Sequence, residues 1–557
     1  MPESTTGAAV ELNNTIHVRD VSSLADEVIV EPDVGVIVRD GTRLSTKVFR
    51  PATAGEYPVV LVLTAYGKDL GPDTYPEAAD YAEDPDFDNG VIVVSPWTTW
   101  EGPDPATWVP EGYAVVYLDV RGYHQSGGDA SVLSPQDAED FYDVIEWAAS
   151  QEWSNGNVGT VGVSYLAIAQ WAAAGLNPPG LKAMIPWEGQ TDSFREVLYH
   201  GGVPETSFTK FWLNRVNGLA NTPPLPEHEL FAMLHRDPQA MTGIREQQFI
   251  RPELSEVPVL VAATWSDHGM HTRGSFGGFA QTSATQKWLF THGQPKWSTF
   301  YGPEAIECQQ QFFDHFLKGD DSGLLARPTV RLEVRDTLTE RAVRFEHEWP
   351  IARTEYRRWY LDGANGELVV EPPAAPAVAS YAPLTDGATF TVTFDEETEL
   401  TGHMTLRLWV STTEGTDMDL FVGIRKFDAA GDEVHFYAKA GYTKGPVAQG
   451  WLRVSERALD EERSTEWQPV LRHDYPQPIS PQEIVPVDIE ILPSSTRFGA
   501  GESLQLVVQG TDLFEHPALG HAYSHEVNQG THSIYTGGDR ASYLLLPHIP
   551  AANTVSV

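Results

Sequence analysis

The sequence predicts a fold of the α/β class, followed by a second domain built of antiparallel strands. In the first part of the chain, short runs that are apolar at nearly every position alternate with helical patterns. That alternation is typical of parallel strands buried on both faces. Beyond about Pro328, apolar and polar residues alternate with a period of two, as in half-buried antiparallel strands. The length of 557 residues exceeds what one hydrophobic core usually serves, so more than one domain is expected.

Six apolar runs predict the strands of the first sheet. They cover residues 59–63, 114–118, 158–163, 183–185, 259–263 and 287–290. The clearest helix is predicted over 134–150, where Ser134 can cap the first turn and Pro135 suits the first helical position. Apolar residues in this segment also recur on one helical face. Together these elements predict a doubly wound α/β domain.

A helical insertion is predicted over residues 190–250, where strand-like runs stop and aromatic, Leu and Met residues such as Phe208, Phe231 and Met233 are frequent. Strands resume at Val257, so this segment is expected to form a cap over the carboxyl edge of the sheet. The α/β domain is therefore predicted over 1–189 and 251–345. The alternating pattern predicts a β sandwich or jelly roll over 346–557.

Charge and composition narrow the partners. The formal net charge of -41 argues against nucleic acid or an anionic membrane surface, because both would be repelled. Cys308 is the only cysteine, so neither an intramolecular disulfide nor a cysteine metal cluster is expected. Residues 1–14 lack the pattern of a signal peptide, and no apolar run reaches about 18 residues. The prediction is a cytoplasmic protein, with secretion through a removed leader and a homo-oligomer left open.

The most informative motif surrounds Ser164. A predicted strand runs directly into an Ala-rich helix, and Ser164 lies at the junction, with Gly162 two residues before it and Ala167 three after. This is the strand-turn-helix context of a nucleophile elbow, in which small neighbours let the chain turn sharply. The common G-x-S-x-G form would have Gly at position 166, where this chain has Leu166. Ser164 is predicted to be a catalytic nucleophile.

A serine nucleophile needs a histidine held by a carboxylate. In α/β hydrolases these partners follow in the order Ser, acid, His, each after a later strand. Asp267 follows the run 259–263 and His292 follows 287–290, so these two are predicted as the acid and the base. His268 and His271 lie close to the acid but do not follow a later strand; His268 is interpreted as a residue that lines the pocket.

Two donors are expected for the oxyanion that forms during attack on a carbonyl. One is the backbone N–H of Tyr165, which directly follows the nucleophile. The second is expected from the loop after an early strand, where the Tyr66 hydroxyl could supply it. An aromatic side chain that only packs beneath the loop is the alternative for Tyr66.

The chain resembles the cocaine esterase and X-prolyl dipeptidyl peptidase-like hydrolases. The matching stretches are 57–68 (YPVVLVLTAYGK), 111–122 (EGYAVVYLDVRG), 153–167 (WSNGNVGTVGVSYLA), 312–319 (FFDHFLKG), 450–455 and 543–547. The resemblance implies an α/β-hydrolase domain with an inserted helical cap and a C-terminal jelly roll. It also implies Ser164, Asp267 and His292 as the triad, Tyr66 as oxyanion donor, and no cofactor. The chain departs from many relatives around His292, where they have Gly-Pro-Trp before a histidine.

The resemblance leaves the substrate open among small esters, lactones and short peptides. Peptidase and amino-ester relatives need acids for a substrate ammonium, and the candidates here are Glu188, Asp192, Glu196 and Glu205. An aromatic, uncharged pocket of Trp187, Tyr199 and Trp212 is the preferred interpretation and favours a bulky apolar ester or lactone. The preferred function is a serine esterase that acts through an acyl-enzyme intermediate. The alternatives are an X-prolyl dipeptidyl aminopeptidase or amino-ester hydrolase, a non-catalytic carbohydrate-binding protein, and metal-dependent hydrolysis through His268 and His271.

Overall fold

The structure is a computed structural model that describes residues 10–11, 16–74, 85–221, 250–516 and 519–550. Its buried apolar residues form two large clusters. The first runs from Ile16 to Ile351 and adds Ile549, and the second contains residues from Leu361 to Leu546. The predicted fold class, an α/β domain followed by an all-β domain, is confirmed. The extent of the predicted domains 1–189 with 251–345, 190–250 and 346–557 stays a prediction.

The described part of the first domain is built on a ten-stranded mixed sheet. Its strands are β1 (Val28–Ile37), β2 (Arg43–Pro51), β3 (Tyr57–Thr64), β4 (Ala114–Asp119), β5 (Ser154–Val163), β6 (Leu181–Trp187), β7 (Val259–Thr264), β8 (Lys287–His292), β9 (Val330–Arg335) and β10 (Arg341–Glu346). Their order across the sheet is β1-β2-β4-β3-β5-β6-β7-β8-β9-β10. The strands from β4 to β9 pair in parallel, whereas both edges are antiparallel.

The buried strands explain the apolar runs of the sequence. Every residue of β4 and β7 is buried, and β3 is buried at every position after Tyr57. A strand covered on both faces needs an apolar side chain at each position, because neither pleat faces water. All six predicted runs lie within strands of this sheet. Since the central strands are parallel, their carboxyl ends meet at one edge, where the loops after β5, β6, β7 and β8 come together.

Helices follow the central strands. They are α1 (Pro105–Trp108), α2 (Pro135–Ala149), α3 (Tyr165–Ala174), α4 (Phe208–Asn217), α5 (Thr272–Gln281), α6 (Lys296–Phe300), α7 (Pro303–Phe313) and, in the second domain, α8 (Ser524–Val527). Two π-helical turns lie at Phe194–Leu198 and Asp314–Lys318, and single 3-10 turns at Ser22–Leu24, Pro72–Thr74, Pro252–Leu254, Leu324–Ala326, Lys439–Gly441, Val454–Glu456 and Gly538–Arg540. The predicted helix over 134–150 is confirmed as α2, whose Ser134 cap forms a capping box with Asp137. No described helix is long and apolar enough to cross a bilayer.

The predicted cap is described only up to residue 221. This part contains the π-helical turn, a small hairpin of Tyr199–His200 and Val203–Pro204, and α4. The α4 amides are capped by Glu205, whose carboxylate accepts from the backbone N–H groups of three residues at the start of the helix, at 2.7 to 3.1 Å. Phe231 and Met233, which contributed to the prediction, lie outside the described residues.

The second domain is a β sandwich. Its main strands are β11 (Glu355–Asp362), β12 (Glu367–Val369), β13 (Ala377–Tyr381), β14 (Gly387–Thr393), β15 (Thr398–Thr412), β16 (Asp419–Phe427), β17 (Ala448–Arg453), β18 (Val485–Phe498), β19 (Ser503–Gln509), β20 (His532–Thr536) and β21 (Tyr543–Ile549). Shorter strands of this domain lie at Glu433–Val434, Phe436–Ala438 and Tyr442–Gly445, and a separate three-stranded sheet in the first part of the chain contains Val10–Glu11, Ile16–Val18 and Ile92–Val94. β15 pairs with β18, β20 and β21, whereas β19 pairs with β14 and β16. Both groups bury their inward side chains in the second cluster, as the alternation predicts.

The two domains contact each other closely. Arg335 at the end of β9 pairs with Thr496 of β18 and is buried, with its guanidinium 2.7 Å from the Ser494 hydroxyl. Arg273 in α5 forms an ion pair with Glu490 of β18. Through this ion pair the second domain packs against α5. This helix directly follows the loop that carries Asp267.

Candidate active site

Ser164 lies at a sharp turn between β5 and α3. Its φ of 58° and ψ of −118° are unusual for a residue other than glycine. Gly162 makes room for this turn, because a Cβ at that position would lie 2.6 Å from Leu166 Cβ. Strained backbone of this kind costs on the order of 1–3 kcal/mol and clusters at functional sites. The nucleophile elbow predicted from the sequence therefore has its expected local geometry.

The side chains that meet Ser164 come from the loop after β7. Ser164 Oγ lies 3.1 Å from His271 Nε2, and His271 Nδ1 lies 2.5 Å from Asp267 Oδ2. His271 and Asp267 are buried and belong to one turn, since the His271 backbone N–H donates to the Asp267 carbonyl at 3.1 Å. With Nδ1–H donated to the carboxylate, Nε2 is free to accept the serine proton.

The structure corrects the prediction for the base: His271, and not His292, hydrogen-bonds Ser164. His292 is the last residue of β8, and its Nε2 lies 3.1 Å from Glu188 Oε1. Its ring also packs beside Trp187, with the ring centroids 5.9 Å apart. The rule that acid and base each follow a separate strand selects His292. Here the acid and base share one loop, and the only sequence signal is the i, i+4 spacing of Asp267 and His271.

Lys296, at the start of α6, is a further part of the site that the sequence reasoning missed. Its Nζ lies 2.7 Å from Asp267 Oδ2 and 3.9 Å from Glu188 Oε2. Burial opposes ionisation of Asp267, but Lys296 and His271 outweigh it and hold the pKa of Asp267 below its ordinary value. Burial and the Lys296 ammonium together lower the pKa of His271.

The same cluster bears on the metal hypothesis. One ligand atom each from Glu188, Asp267 and His271 lies within 4.8 Å of the others, a spacing that a metal ion could use. The Lys296 ammonium contacts both carboxylates and therefore already supplies a cation to this cluster. His268, the other ligand considered from the sequence, is not part of the cluster, and burial lowers its pKa to about 3.

The two predicted oxyanion donors lie close to these side chains in the fold. Tyr165 is the first residue of α3, so its N–H belongs to the helix start, where amides lack intrahelical partners. The phenol of Tyr165 is engaged elsewhere, because its hydroxyl donates a hydrogen bond to Asp137 at 2.9 Å. Tyr66 follows β3 and is largely buried, and its hydroxyl accepts from Trp212 Nε1 at 3.3 Å. Their oxyanion role stays a prediction.

A mainly apolar cavity opens beside Ser164. It encloses about 470 Å³ of empty space, part of it open to solvent. Its apolar lining comes from α3, the π-helical turn, α4 and the loop before α2, and includes Leu133, Ile168, Val197, Leu198, Phe208 and Trp212. Such a lining suits an uncharged hydrocarbon or aromatic group.

The predicted substrate-binding aromatics divide between this cavity and the core. Trp212 lines the cavity. Trp187 is fully buried and packs against Phe290 and Phe300. Tyr199 stacks on Phe194, with centroids 4.9 Å apart, and neither Trp187 nor Tyr199 is among the residues described as lining the cavity.

All four candidate acids for a substrate ammonium are engaged elsewhere. Glu188 lies between His292 and Lys296, and Asp192 forms an ion pair with Arg195. Glu196 accepts from the Thr191 backbone N–H at 2.9 Å, and burial raises its pKa to about 7. The fourth acid, Glu205, caps α4 as described above.

Comparison with known proteins places this geometry in a family. The X-Pro dipeptidyl-peptidase (S15 family) pattern matches residues 40–297, and its C-terminal non-catalytic domain matches 323–545. The crystal structure of a CocE/NonD family hydrolase from Staphylococcus aureus is 41% identical, with a TM-score of 0.89 and 94% of each chain covered. The chain belongs to the CocE/NonD family of hydrolases. The first domain accordingly has the α/β-hydrolase fold.

Two other proteins are more distantly similar to this chain. The cocaine esterase of Rhodococcus sp. (strain MB1 Bresler) is 28% identical over 398 residues, which cover 60% of this chain. That match spans 63% of the esterase, which is less than two thirds of its length. The structure of an α-amino acid ester hydrolase is 18% identical, with a TM-score of 0.68 and coverage of 95% of this chain and 98% of the other. This last comparison shows a shared fold.

Proposed function

We propose that this CocE/NonD hydrolase is a serine esterase that cleaves carboxylic esters through an acyl-enzyme intermediate. The observation that carries the proposal is the hydrogen-bonded chain from Ser164 Oγ through His271 to Asp267, at a strained turn beside a cavity. A serine hydroxyl is a weak nucleophile until a base accepts its proton. In this chain the base is already within hydrogen-bonding distance.

The reaction proceeds in two halves. Ser164 Oγ attacks the ester carbonyl while its proton passes to His271 Nε2, and Asp267 stabilises the imidazolium that forms. The Tyr165 N–H and the Tyr66 hydroxyl donate to the oxyanion. The oxyanion collapses, the ester C–O bond breaks, and His271 returns the proton to the leaving alcohol. Water then repeats the sequence on the acyl-enzyme and releases the acid.

The cavity favours an uncharged, bulky group on the ester, such as an aryl or branched alkyl group. The supporting observations are its apolar walls and the engagement of all four candidate acids in ion pairs, a helix cap or a backbone hydrogen bond. Among the described residues, an ammonium placed in this cavity would lose its hydration without gaining a free carboxylate, at a cost of several kcal/mol. A lactone meets the same requirements as an open ester.

The second candidate is an X-prolyl dipeptidyl peptidase or an amino-ester hydrolase. The match of residues 40–297 to the S15 family favours it. These substrates carry a free amine, so they require a carboxylate, and each of the four candidate acids in the described part of the chain would first have to leave its present partner.

A substrate panel separates the two candidates. The panel contains p-nitrophenyl esters of increasing acyl size, aryl lactones, and Xaa-Pro-p-nitroanilides with free and acetylated amines, each tested with the native protein and with Ser164→Ala. The proposal expects hydrolysis of apolar esters that disappears in Ser164→Ala. A preference for free-amine Xaa-Pro substrates would establish the peptidase, and hydrolysis that survives Ser164→Ala would refute the mechanism.

The expected partner of the site is a small-molecule substrate, because the apolar cavity beside Ser164 suits one side group of an ester. A cytoplasmic location stays a prediction from the sequence, which leaves a homo-oligomer open. Size-exclusion chromatography with light scattering tests the oligomer.

A further inference from the structure

We propose that Lys296 is a positioning residue of the triad: its buried ammonium fixes the Asp267 carboxylate and keeps the base His271 neutral in mildly acidic solution. The inference rests on the proposed serine hydrolase function. It goes beyond that function because a serine–histidine–aspartate triad operates without a lysine.

The first support is the way two donors share one oxygen. Lys296 Nζ lies 2.7 Å and His271 Nδ1 2.5 Å from the same atom, Asp267 Oδ2. The other carboxylate oxygen, Oδ1, is buried and has no hydrogen-bond partner in the described part of the chain. The Asp267 carboxylate is therefore anchored by Lys296 and His271 alone within the described residues. Without Lys296 its orientation would depend on the same imidazole that it must orient.

The second support is the direct approach of the ammonium to the base. Lys296 Nζ lies 3.1 Å from His271 Nδ1, and both side chains are almost completely buried. A positive charge this close opposes protonation of the imidazole, and burial acts in the same direction. The pKa of His271 is lowered for these two reasons, burial being the larger.

Other charged groups around this trio come from several elements. Glu188, after β6, lies 3.9 Å from the Lys296 ammonium and 3.1 Å from His292. Glu101, on the loop before α1, and Glu188 add to the effect of Asp267 and raise the pKa of Lys296 despite its burial. Lys439, from the second domain, also interacts electrostatically with Asp267 and Lys296, and its own pKa is lowered to about 8, chiefly by burial. The acids keep Lys296 charged throughout the range in which His271 titrates.

The sign of the pH effect follows from these charges. His271 acts as a base only when neutral, so activity falls as the pH drops through its pKa. Because that pKa lies below its ordinary value of about 6.5, the acid limb of the profile should lie below about pH 6.5. Removal of Lys296 takes away the opposing positive charge and leaves Asp267 to favour the imidazolium. The limb should then rise by about one pH unit or more.

The experiment measures the pH dependence of two reactions between about pH 4 and about pH 9, a range that spans the histidine pKa. One is kcat/KM for a p-nitrophenyl ester, and the other is the rate at which a fluorophosphonate labels Ser164, which needs the base but not a fitting ester. The variants are Lys296→Met, the conservative Lys296→Arg, and the control Lys287→Met. Lys287 lies at the far end of β8, where it donates to the Phe279 carbonyl.

In Lys296→Met, the acid limb of ester hydrolysis and the acid limb of fluorophosphonate labelling should both move to higher pH by about one unit or more. Lys296→Arg and Lys287→Met should keep the native profiles. An unshifted limb in Lys296→Met overturns the inference. If Lys296→Met does not fold, the pH profile of the native protein still tests the inference. A native acid limb at or above about pH 6.5 overturns it. Failure of the proposed esterase is seen separately, as Ser164 labelling without ester hydrolysis. Absence of Ser164 labelling at every pH overturns both.

Discussion

Replacement of His271 by alanine should abolish esterase activity, whereas replacement of His292 by glutamine should not. His271 Nε2 lies 3.1 Å from Ser164 Oγ, so His271→Ala removes the only group described within reach of the serine proton. His292 Nε2 lies 3.1 Å from Glu188 Oε1 without a hydrogen bond in the described structure, and glutamine keeps a polar side chain at this position. The two substitutions therefore test which of the two buried histidines is the catalytic base.

The expected magnitudes follow from these contacts. Loss of a triad base lowers kcat by about 10⁴- to 10⁶-fold, which is roughly 5 to 8 kcal/mol of transition-state stabilisation. For His292→Gln, kcat/KM should stay within about tenfold of the native value, because the change alters one polar contact near Glu188, which is worth roughly 1 kcal/mol.

The assay is steady-state hydrolysis of a p-nitrophenyl ester, with the pre-steady-state burst of p-nitrophenol at excess substrate as a measure of acylation. Circular dichroism and urea unfolding confirm that both variants are folded. The assignment is refuted if His271→Ala keeps its burst while His292→Gln loses it, because the base would then be the residue at the end of β8.

Three further predictions concern the cavity, the elbow and the domain contact. Trp212→Ala should lower kcat/KM for bulky aryl esters by at least about tenfold while acetate esters change little, because Trp212 lines the cavity; an unchanged ratio of the two would contradict this. Gly162→Ala should reduce activity and stability together, because the new Cβ would meet Leu166 Cβ at 2.6 Å; a fully active variant with native unfolding would show that the turn relaxes. Arg273→Met should lower the free energy of unfolding, measured in urea, by about 3 kcal/mol, because it leaves Glu490 without its buried partner. An unchanged unfolding midpoint would show that this ion pair does not stabilise the protein.

The shared loop of Asp267 and His271 has a mechanical consequence. Acid and base are four residues apart at the start of α5, so their relative position is set by one turn of backbone. α5 is held against the second domain by the Arg273 ion pair. Loosening that contact should therefore affect the distance from His271 to Ser164 before it affects the distance from His271 to Asp267.

Much of the fold could be predicted because its signals are local. Runs that are apolar at every position identified the buried parallel strands, and alternation identified the sandwich, since each pattern reports which faces of a strand meet water. Ser164 was found in the same way, because a sharp strand-to-helix turn requires small residues at fixed offsets such as Gly162. Asp267 followed from its position directly after a predicted strand.

The sequence by itself thus determined the class of fold and predicted Ser164 and Asp267 as site residues. Only the tertiary structure decided which histidine lies within hydrogen-bonding distance of Ser164, that Lys296 contacts Asp267, and that Trp187 packs in the core while Trp212 lines the cavity. These outcomes depend on the directions of side chains on separate elements, where a difference of a few ångströms decides contact. Residues 164, 267 and 296 are far apart in the sequence, and no local pattern records the distances between them.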